Sequence, residues 1–153
     1  MNIEDNLKKL DIILPTAPNP VGSYVAYRKS NKLVFISGQI SLRSNGELIK
    51  GKVGLDLTIE QGQEAACVCT MNILSQLKLA CNNDFNEVKS CIKITGFVNS
   101  TNDFIDQPKI INGASELIVK IFEDTGKHSR AAVSVNSLPL GAAVEIESIF
   151  ELN

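Results

Sequence analysis

A chain of 153 residues is long enough for one hydrophobic core and too short for two. With 44% hydrophobic and 21% charged residues it has the balance of an ordinary globular domain, which excludes disordered, collagen-like and coiled-coil sequence. Fifteen basic against seventeen acidic side chains leave a formal charge of −2, so the totals supply no cationic surface of the kind that binds nucleic acid.

In chain order, residues 3–10 predict a short amphipathic helix. It stops before Leu14-Pro15-Thr16-Ala17-Pro18-Asn19-Pro20, where three prolines preclude regular backbone pairing and leave residues 1–20 as a leader and arm. The β-rich runs 24–28 and 33–37, with Lys29-Ser30-Asn31-Lys32 between them, suit a hairpin. After a polar link containing Asn45-Gly46, Thr58-Ile59-Glu60-Gln61 has the spacing of a capping box. Beyond it Ala66, Cys69, Ile73, Leu77 and Ala80 recur at helical spacing. Residues 88–98 read as a strand, with Ile92, Ile94 and Val98 on one face and Lys93, Thr95 and Phe97 on the other. Asp106-Gln107-Pro108 starts a second long helix, whose apolar stripe is Ile111, Ala114, Ile118, Ile121 and Phe122 and which ends near Gly126. The alternating runs 131–135 and 144–152, joined through Leu138-Pro139-Leu140-Gly141, are expected to pair as a closing hairpin.

The order β-β-α-β-α-β-β predicts a single α+β domain over 1–153, with one sheet covered on one side by two helices. Two helices cannot cover both faces, so the second face is expected to meet water or a partner, and an oligomer closing over it fits. The sequence shows no internal repeat and no linker.

Cys67, Cys69, Cys81 and Cys91 form no Cys-x-x-Cys pair and have His128 as the one histidine beside them, so zinc ligation is not expected. Their aliphatic neighbours suit reduced core cysteines of an intracellular protein. The start Met1-Asn2-Ile3-Glu4-Asp5 is acidic where a secretory signal is basic, and the apolar runs are far shorter than the ~20 residues that span a bilayer. A cytoplasmic protein without membrane contact is expected, so the Asn99-Ser100-Thr101 sequon carries no weight. No glycine-rich phosphate loop, dinucleotide fingerprint or Gly-x-Ser-x-Gly elbow occurs.

Chemistry concentrates near the C-terminus. On the last strand Val144, Ile146, Phe150 and Leu152 point one way, and Glu145, Glu147 and Glu151 the other. Arg130 opens the run before it, and the expected hairpin brings arginine and glutamate together. A guanidinium fork can hold a carboxylate while a glutamate aims a water, although spacing alone fits an exposed salt bridge better. His128 reads as a loop residue, since no nucleophile stands in motif context with it. Asn112-Gly113 inside the second helix marks close packing or a small-molecule contact. Tyr24 either caps a cleft or anchors the arm.

Gly22-Ser23-Tyr24, Phe35-Ile36-Ser37-Gly38-Gln39-Ile40, and Arg130 followed by Leu138-Pro139 and Val144-Glu145-Ile146-Glu147-Ser148-Ile149 together resemble the RidA/YjgF family, over about residues 21–152. That resemblance implies a chorismate-mutase-like α+β fold and a homotrimer with clefts between neighbouring subunits. It also implies cofactor-free and metal-free hydrolysis of reactive enamines and imines, of the 2-aminoacrylate and 2-iminobutanoate type, to 2-keto acids and ammonia. By position, Arg130 matches the family's carboxylate-binding arginine and Glu145 the acid that orients the attacking water. Tyr24, Ser37, Gly38 and Asn112 match cleft positions, and the Ala132 backbone matches a contact to the substrate's nitrogen end. Serine at 23 where proline is common, a longer 104–112 stretch and the long leader mark a divergent subgroup. The alternative is a trimeric binding or regulatory protein for 2-keto acids, in which Arg130 serves equally and Glu145 has no task. Some family members are named endoribonucleases, a reading the acidic balance does not support.

Overall fold

The computed structural model describes residues 2–153. Asn2 caps the first helix, α1 (Ile3–Lys9), by accepting the Asp5 N–H at 3.1 Å. Ile3 and Leu7, one turn apart, are buried, and Asn6 donates to the Ile121 carbonyl at 2.9 Å. The proline-rich arm then runs extended. Its carbonyls are held by the long helix that follows, Ser75 donating to Pro15 O at 2.8 Å and Gln76 to Pro18 O at 2.6 Å. Those side chains replace the backbone partners that proline denies the segment.

β1 (Tyr27–Ser30) and β2 (Leu33–Ile40) form the expected hairpin, but the turn shrinks to Asn31-Lys32 with Asn31 at φ +52°. Tyr24 consequently stands before the first strand rather than at its start. α2 (Ile59–Ala80) opens on the capping box: the Thr58 hydroxyl accepts the Gln61 N–H at 3.3 Å and the Gln61 side chain accepts the Thr58 N–H at 2.9 Å. Two donors that a helix start orphans are thereby satisfied. Ala66, Cys69, Ile73, Leu77 and Ala80 are all buried, as their spacing predicts.

β3 (Val88–Asn99) departs from the expected alternation. Its register against the last strand shifts between Cys91 and Lys93, so Cys91 and Ile94 face the core and Ile92 is exposed. An irregularity of one residue exchanges the faces of everything on one side of it. α3 (Gln107–Phe122) has proline in its first turn and buries Ile111, Ala114, Ile118, Ile121 and Phe122. A 3-10 turn, Glu123–Gly126, completes it. Gly113 settles as a packing residue: a Cβ there would lie within 3.0 Å of the Gln63 backbone on α2.

β4 (Ser129–Val135) and β5 (Val144–Leu152) do not form the expected hairpin. The sheet order is β1-β2-β5-β3-β4, with β3 between them. α3 is the crossover of a β-α-β unit, so β4 returns parallel to β3 at the sheet edge. The chain then passes over β3 through a 3-10 turn, Pro139–Gly141, and β5 inserts antiparallel between β2 and β3. α2 and α3 cover one sheet face, over Val34, Ile36, Ile94, Val98, Val144, Ile146 and Phe150. The other face carries Phe35, Glu145, Glu147 and Val133, with Phe35 and Val133 41% and 44% exposed, which is the open face foreseen from the element count. No helix among the described residues is long and apolar enough to cross a membrane.

Candidate active site

A break in β2 decides where Glu145 can go. The pairing of β2 with β5 shifts between Ile36 and Gln39, so Ser37 and Gly38 have no counterpart on β5. Ser37 bonds instead to the stretch between the arm and β1, its N–H donating to Ala26 O at 2.9 Å and its hydroxyl to Val25 O at 2.7 Å. Gly38 leaves an opening that the Glu145 carboxylate fills. A Cβ on residue 38 would lie 3.0 Å from Cδ and 3.2 Å from Cγ of Glu145 and would overlap the carboxylate oxygen. Glycine here serves close approach and not an unusual φ.

Glu145 lines a cleft of about 460 Å³ together with Pro18, Tyr24, Gln39, Pro139 and Leu140. Half-buried in this apolar setting, its carboxyl is pushed above the usual carboxylate range by desolvation, and Glu147 adds like-charge repulsion. A carboxyl shifted in that direction is a better proton acceptor than an exposed one. Tyr24 stands at the rim, half-exposed, its hydroxyl accepting the Val21 N–H at 3.4 Å. Leu140, at φ +59° and 81% exposed, forms the opposite lip.

Arg130 does not join this cluster. It pairs in register with Ile94, whereas Glu145 pairs with Phe97 on the other side of β3. Two strand spacings of about 4.8 Å and three residues of about 3.3 Å therefore separate them along the sheet. Their directions differ as well. Arg130 leans onto α3, where its Nη1 donates to Asn112 Oδ1 at 2.9 Å and Ser115 Oγ at 3.1 Å, while Glu145 stands on the open face. The expected contact between the two within one chain is overturned, because the hairpin that was to produce it does not form. Asn112 and Ala132 fall on the arginine side, Ala132 two residues along the edge strand opposite Gly96. Tyr24, Gly38 and, through the stretch before β1, Ser37 fall on the glutamate side.

The candidate residues thus fall into two groups at separate places on the chain. One offers a cation with an Asn partner, the other an acid in an apolar cleft. Nη1 spends its protons on α3, and the Nε and Nη2 edge bonds to none of the described residues, leaving the fork that suits a carboxylate. Sequence reasoning passed over Ser115, Gln39 and Leu140. Asn112 and Ser115 are three apart on one helical face, which is a readable signal once α3 is known to cross beside β4. Among the described residues no group of three His, Cys, Asp or Glu side chains is placed to hold a metal ion.

A family profile described as "YjgF/chorismate_mutase-like, putative endoribonuclease" matches residues 4–152. The chain belongs to the YjgF/RidA family. Protein TCP17 of Trypanosoma cruzi is 42% identical over 149 residues, which is 97% of this chain and 92% of that protein. The 2-iminobutanoate/2-iminopropanoate deaminase of Mus musculus is 31% identical over 134 residues, covering 87% of this chain and 84% of the deaminase. The crystal structure of a protein of unknown function from Agrobacterium tumefaciens superposes with a TM-score of 0.92 at 41% identity, covering 99% of this chain and 92% of that one. The fold of this YjgF/RidA member, with its five-stranded mixed sheet and helices on one face, agrees with the α+β, chorismate-mutase-like expectation.

Proposed function

We propose that this YjgF/RidA protein hydrolyses reactive 2-imino acids and their enamine tautomers to 2-keto acids and ammonia, in clefts formed between copies of the chain in a homotrimer. The observation that carries the reading is the division of the site. A free guanidinium edge and a carboxyl of raised proton affinity stand on different faces of one chain, so a single ligand meets both only where the Arg130 side of one copy approaches the Glu145 side of another. The open sheet face, with Phe35 and Val133 exposed, offers the apolar surface such an assembly would cover. A relative that is itself named an imine deaminase supports the chemistry.

In the reaction the Arg130 fork pairs with the substrate carboxylate, and Glu145 in its ionised form takes a proton from a water directed at the imine carbon. The C–O bond forms as the C=N π pair moves to nitrogen. Glu145 then returns the proton to nitrogen to give the carbinolamine, takes the hydroxyl proton and passes it to the amine. The C–N pair leaves with nitrogen as the C=O bond forms, and imine plus water has become keto acid plus ammonia. The imine carbon is already electrophilic, so positioning supplies much of the acceleration. Asn112 steadies the arginine, the Ala132 backbone serves the nitrogen end, Tyr24 closes the rim and Ser37 holds the stretch before β1 beside the cleft. No cofactor or metal enters this scheme.

The test measures ammonia and 2-keto acid release from freshly generated 2-iminobutanoate and 2-aminoacrylate, with oligomeric state followed by light scattering. Acceleration by wild type that disappears in Arg130→Ala is expected. Trimers assembled from Arg130→Ala and Glu145→Gln chains together should recover activity that neither variant has alone, because some clefts then hold both native groups. A wild-type trimer that binds 2-keto acids without accelerating hydrolysis would replace this reading with the carboxylate-binding one. Mixed trimers as inactive as their parents would refute a cleft shared between copies.

A further inference from the structure

The arginine of the proposed site is held by more than its neighbours on α3. His128 precedes β4 and lies two residues before Arg130, half-buried between the end of α3 and the sheet edge. Its Nδ1 is 2.6 Å from the Gly126 carbonyl and its Nε2 is 3.0 Å from Ser115 Oγ, the same hydroxyl that receives Arg130 Nη1 at 3.1 Å. The directions in this chain are fixed by what each end can do. A carbonyl only accepts, so Nδ1 carries the ring proton. A guanidinium only donates, so Ser115 Oγ accepts from it and directs its own hydrogen to the unprotonated Nε2. We propose that Ser115 and His128 are positioning residues for Arg130, forming a one-way hydrogen-bond relay from the guanidinium through a hydroxyl and a neutral imidazole to the Gly126 carbonyl that sets which guanidinium edge meets the substrate carboxylate. The proposal rests on the reading of Arg130 as the carboxylate anchor.

Three features support it. Asn112 Oδ1 takes the second Nη1 proton, so Nη1 is saturated and the guanidinium cannot rotate without breaking two bonds. Gly126, buried at the end of the 3-10 turn, presents its carbonyl from backbone packed against α3: a Cβ there would lie 2.8 Å from the Ile118 carbonyl oxygen. The relay also needs a neutral ring. Burial lowers the His128 pKa most, the bond to Gly126 opposes part of that, and the Arg130 charge adds a smaller lowering. The charges nearby leave Arg130 as the one bearing on the ring. Asp124 and Lys127 neutralise each other at 2.8 Å on the exposed turn, Ser115, the α3 residue bonded to the ring, is uncharged, and on β3 Lys93 stands opposite Ser129. Protonation would turn Nε2 into a donor aimed at the hydroxyl that Arg130 already occupies, and would set imidazolium against guanidinium.

The experiment compares wild type with Ser115→Ala, His128→Ala and His128→Gln, reading KM and kcat for 2-iminobutanoate and, separately, the dissociation constant of 2-oxobutanoate. Ser115→Ala and His128→Ala should raise KM and the dissociation constant roughly tenfold, the scale of one hydrogen bond to a charged group, with a smaller change in kcat. His128→Gln, whose amide oxygen can accept from Ser115 where Nε2 did, should restore most of the loss and lack the acid-side weakening of binding expected of wild type as His128 protonates. Unchanged ligand affinity in both alanine variants would overturn the relay, as would equal damage in His128→Ala and His128→Gln at native melting temperature. His128 is the one histidine of the chain, so its ring titrates as a single NMR signal, independent of turnover. Arg130→Ala should move that titration upward. A shift in that titration with no activity or ligand binding in wild type would leave the relay intact and refute only the functional reading, whereas no shift would refute the relay itself.

Discussion

Gly38→Ala separates the site from the fold in a single substitution. The backbone at residue 38 lies outside the positive-φ region, so alanine is sterically allowed, and restricting the unfolded chain contributes about 0.4–1 kcal/mol toward stability. The new methyl, however, takes the place of the Glu145 carboxylate: its carbon would lie 3.0 Å from Cδ, against about 3.5–4.0 Å for an unstrained carbon contact. Because the methyl overlaps the carboxylate oxygen, Glu145 must retreat by about 1 Å or more, and a displacement of 1 Å costs about 100-fold in a reaction that depends on alignment. The expected result is a kcat for 2-iminobutanoate reduced by about two orders of magnitude, a KM near that of wild type because Arg130 is untouched, and a melting temperature unchanged or slightly raised. Keto acid release under steady-state conditions, with melting followed by circular dichroism, measures both. Full kcat in the alanine variant would refute the claim that Glu145 must occupy the opening over Gly38. A large fall in melting temperature would show instead that the strand break, not the carboxylate, depends on glycine.

Glu145→Gln should lower kcat yet stabilise the protein at neutral pH. A carboxyl whose pKa is raised by folding carries no penalty below its unfolded value, where both states are protonated, and the full penalty above its folded value, where both are ionised. The stabilisation over wild type should therefore vanish as pH falls through the folded and then the unfolded pKa of Glu145, and melting curves across that acid range check it. Ser148 is buried on β5, and its hydroxyl finds no partner among the described residues, so Ser148→Ala should leave urea stability unchanged or raise it by up to about 1 kcal/mol. Ser41→Ala, which removes a buried 2.8 Å bond to the Ile49 carbonyl, should lower it by about 1 kcal/mol; equal effects would deny the contrast. Gly113→Ala should destabilise by about 1–3 kcal/mol, because the obstruction is Gln63 backbone and α2 and α3 must part, and a raised melting temperature would refute that packing.

The elements themselves were legible because each has a local cause. Thr58 and Gln61 cap α2 by their own bonding capacity, Pro108 suits a first helical turn, and the stripes from Ala66 to Ala80 and from Ile111 to Phe122 are all buried. Errors arose where a residue's fate depends on a strand far away in sequence. Ile92 alternates correctly on paper, and one shift of register against β5 turns it to solvent. The β4–β5 hairpin looked natural because the two runs are adjacent in the chain and bridged by a proline–glycine turn. What defeats it is the preceding helix: α3 returns the chain parallel to β3, and the edge position beside β3 is then filled before β5 arrives.

The same topology explains why the arrangement of the candidate residues could not be derived from spacing. Had β4 and β5 paired, Arg130 and Glu145 would have faced one another within a chain, and the arrangement would reduce to a salt bridge with both charges satisfied. With β3 interposed, the arginine turns to α3, where uncharged Asn112 and Ser115 use Nη1 and its outer edge has no partner among the described residues. The glutamate is left in an apolar cleft with another acid near it and no cation to lower its pKa. Each group is thereby kept short of a partner of opposite charge, which is the condition for binding a carboxylate at one end of a small molecule and accepting a proton at the other. Under the proposed function, a chain that leaves both needs unmet within itself, and exposes an apolar sheet face beside one of them, meets them in contact with another copy.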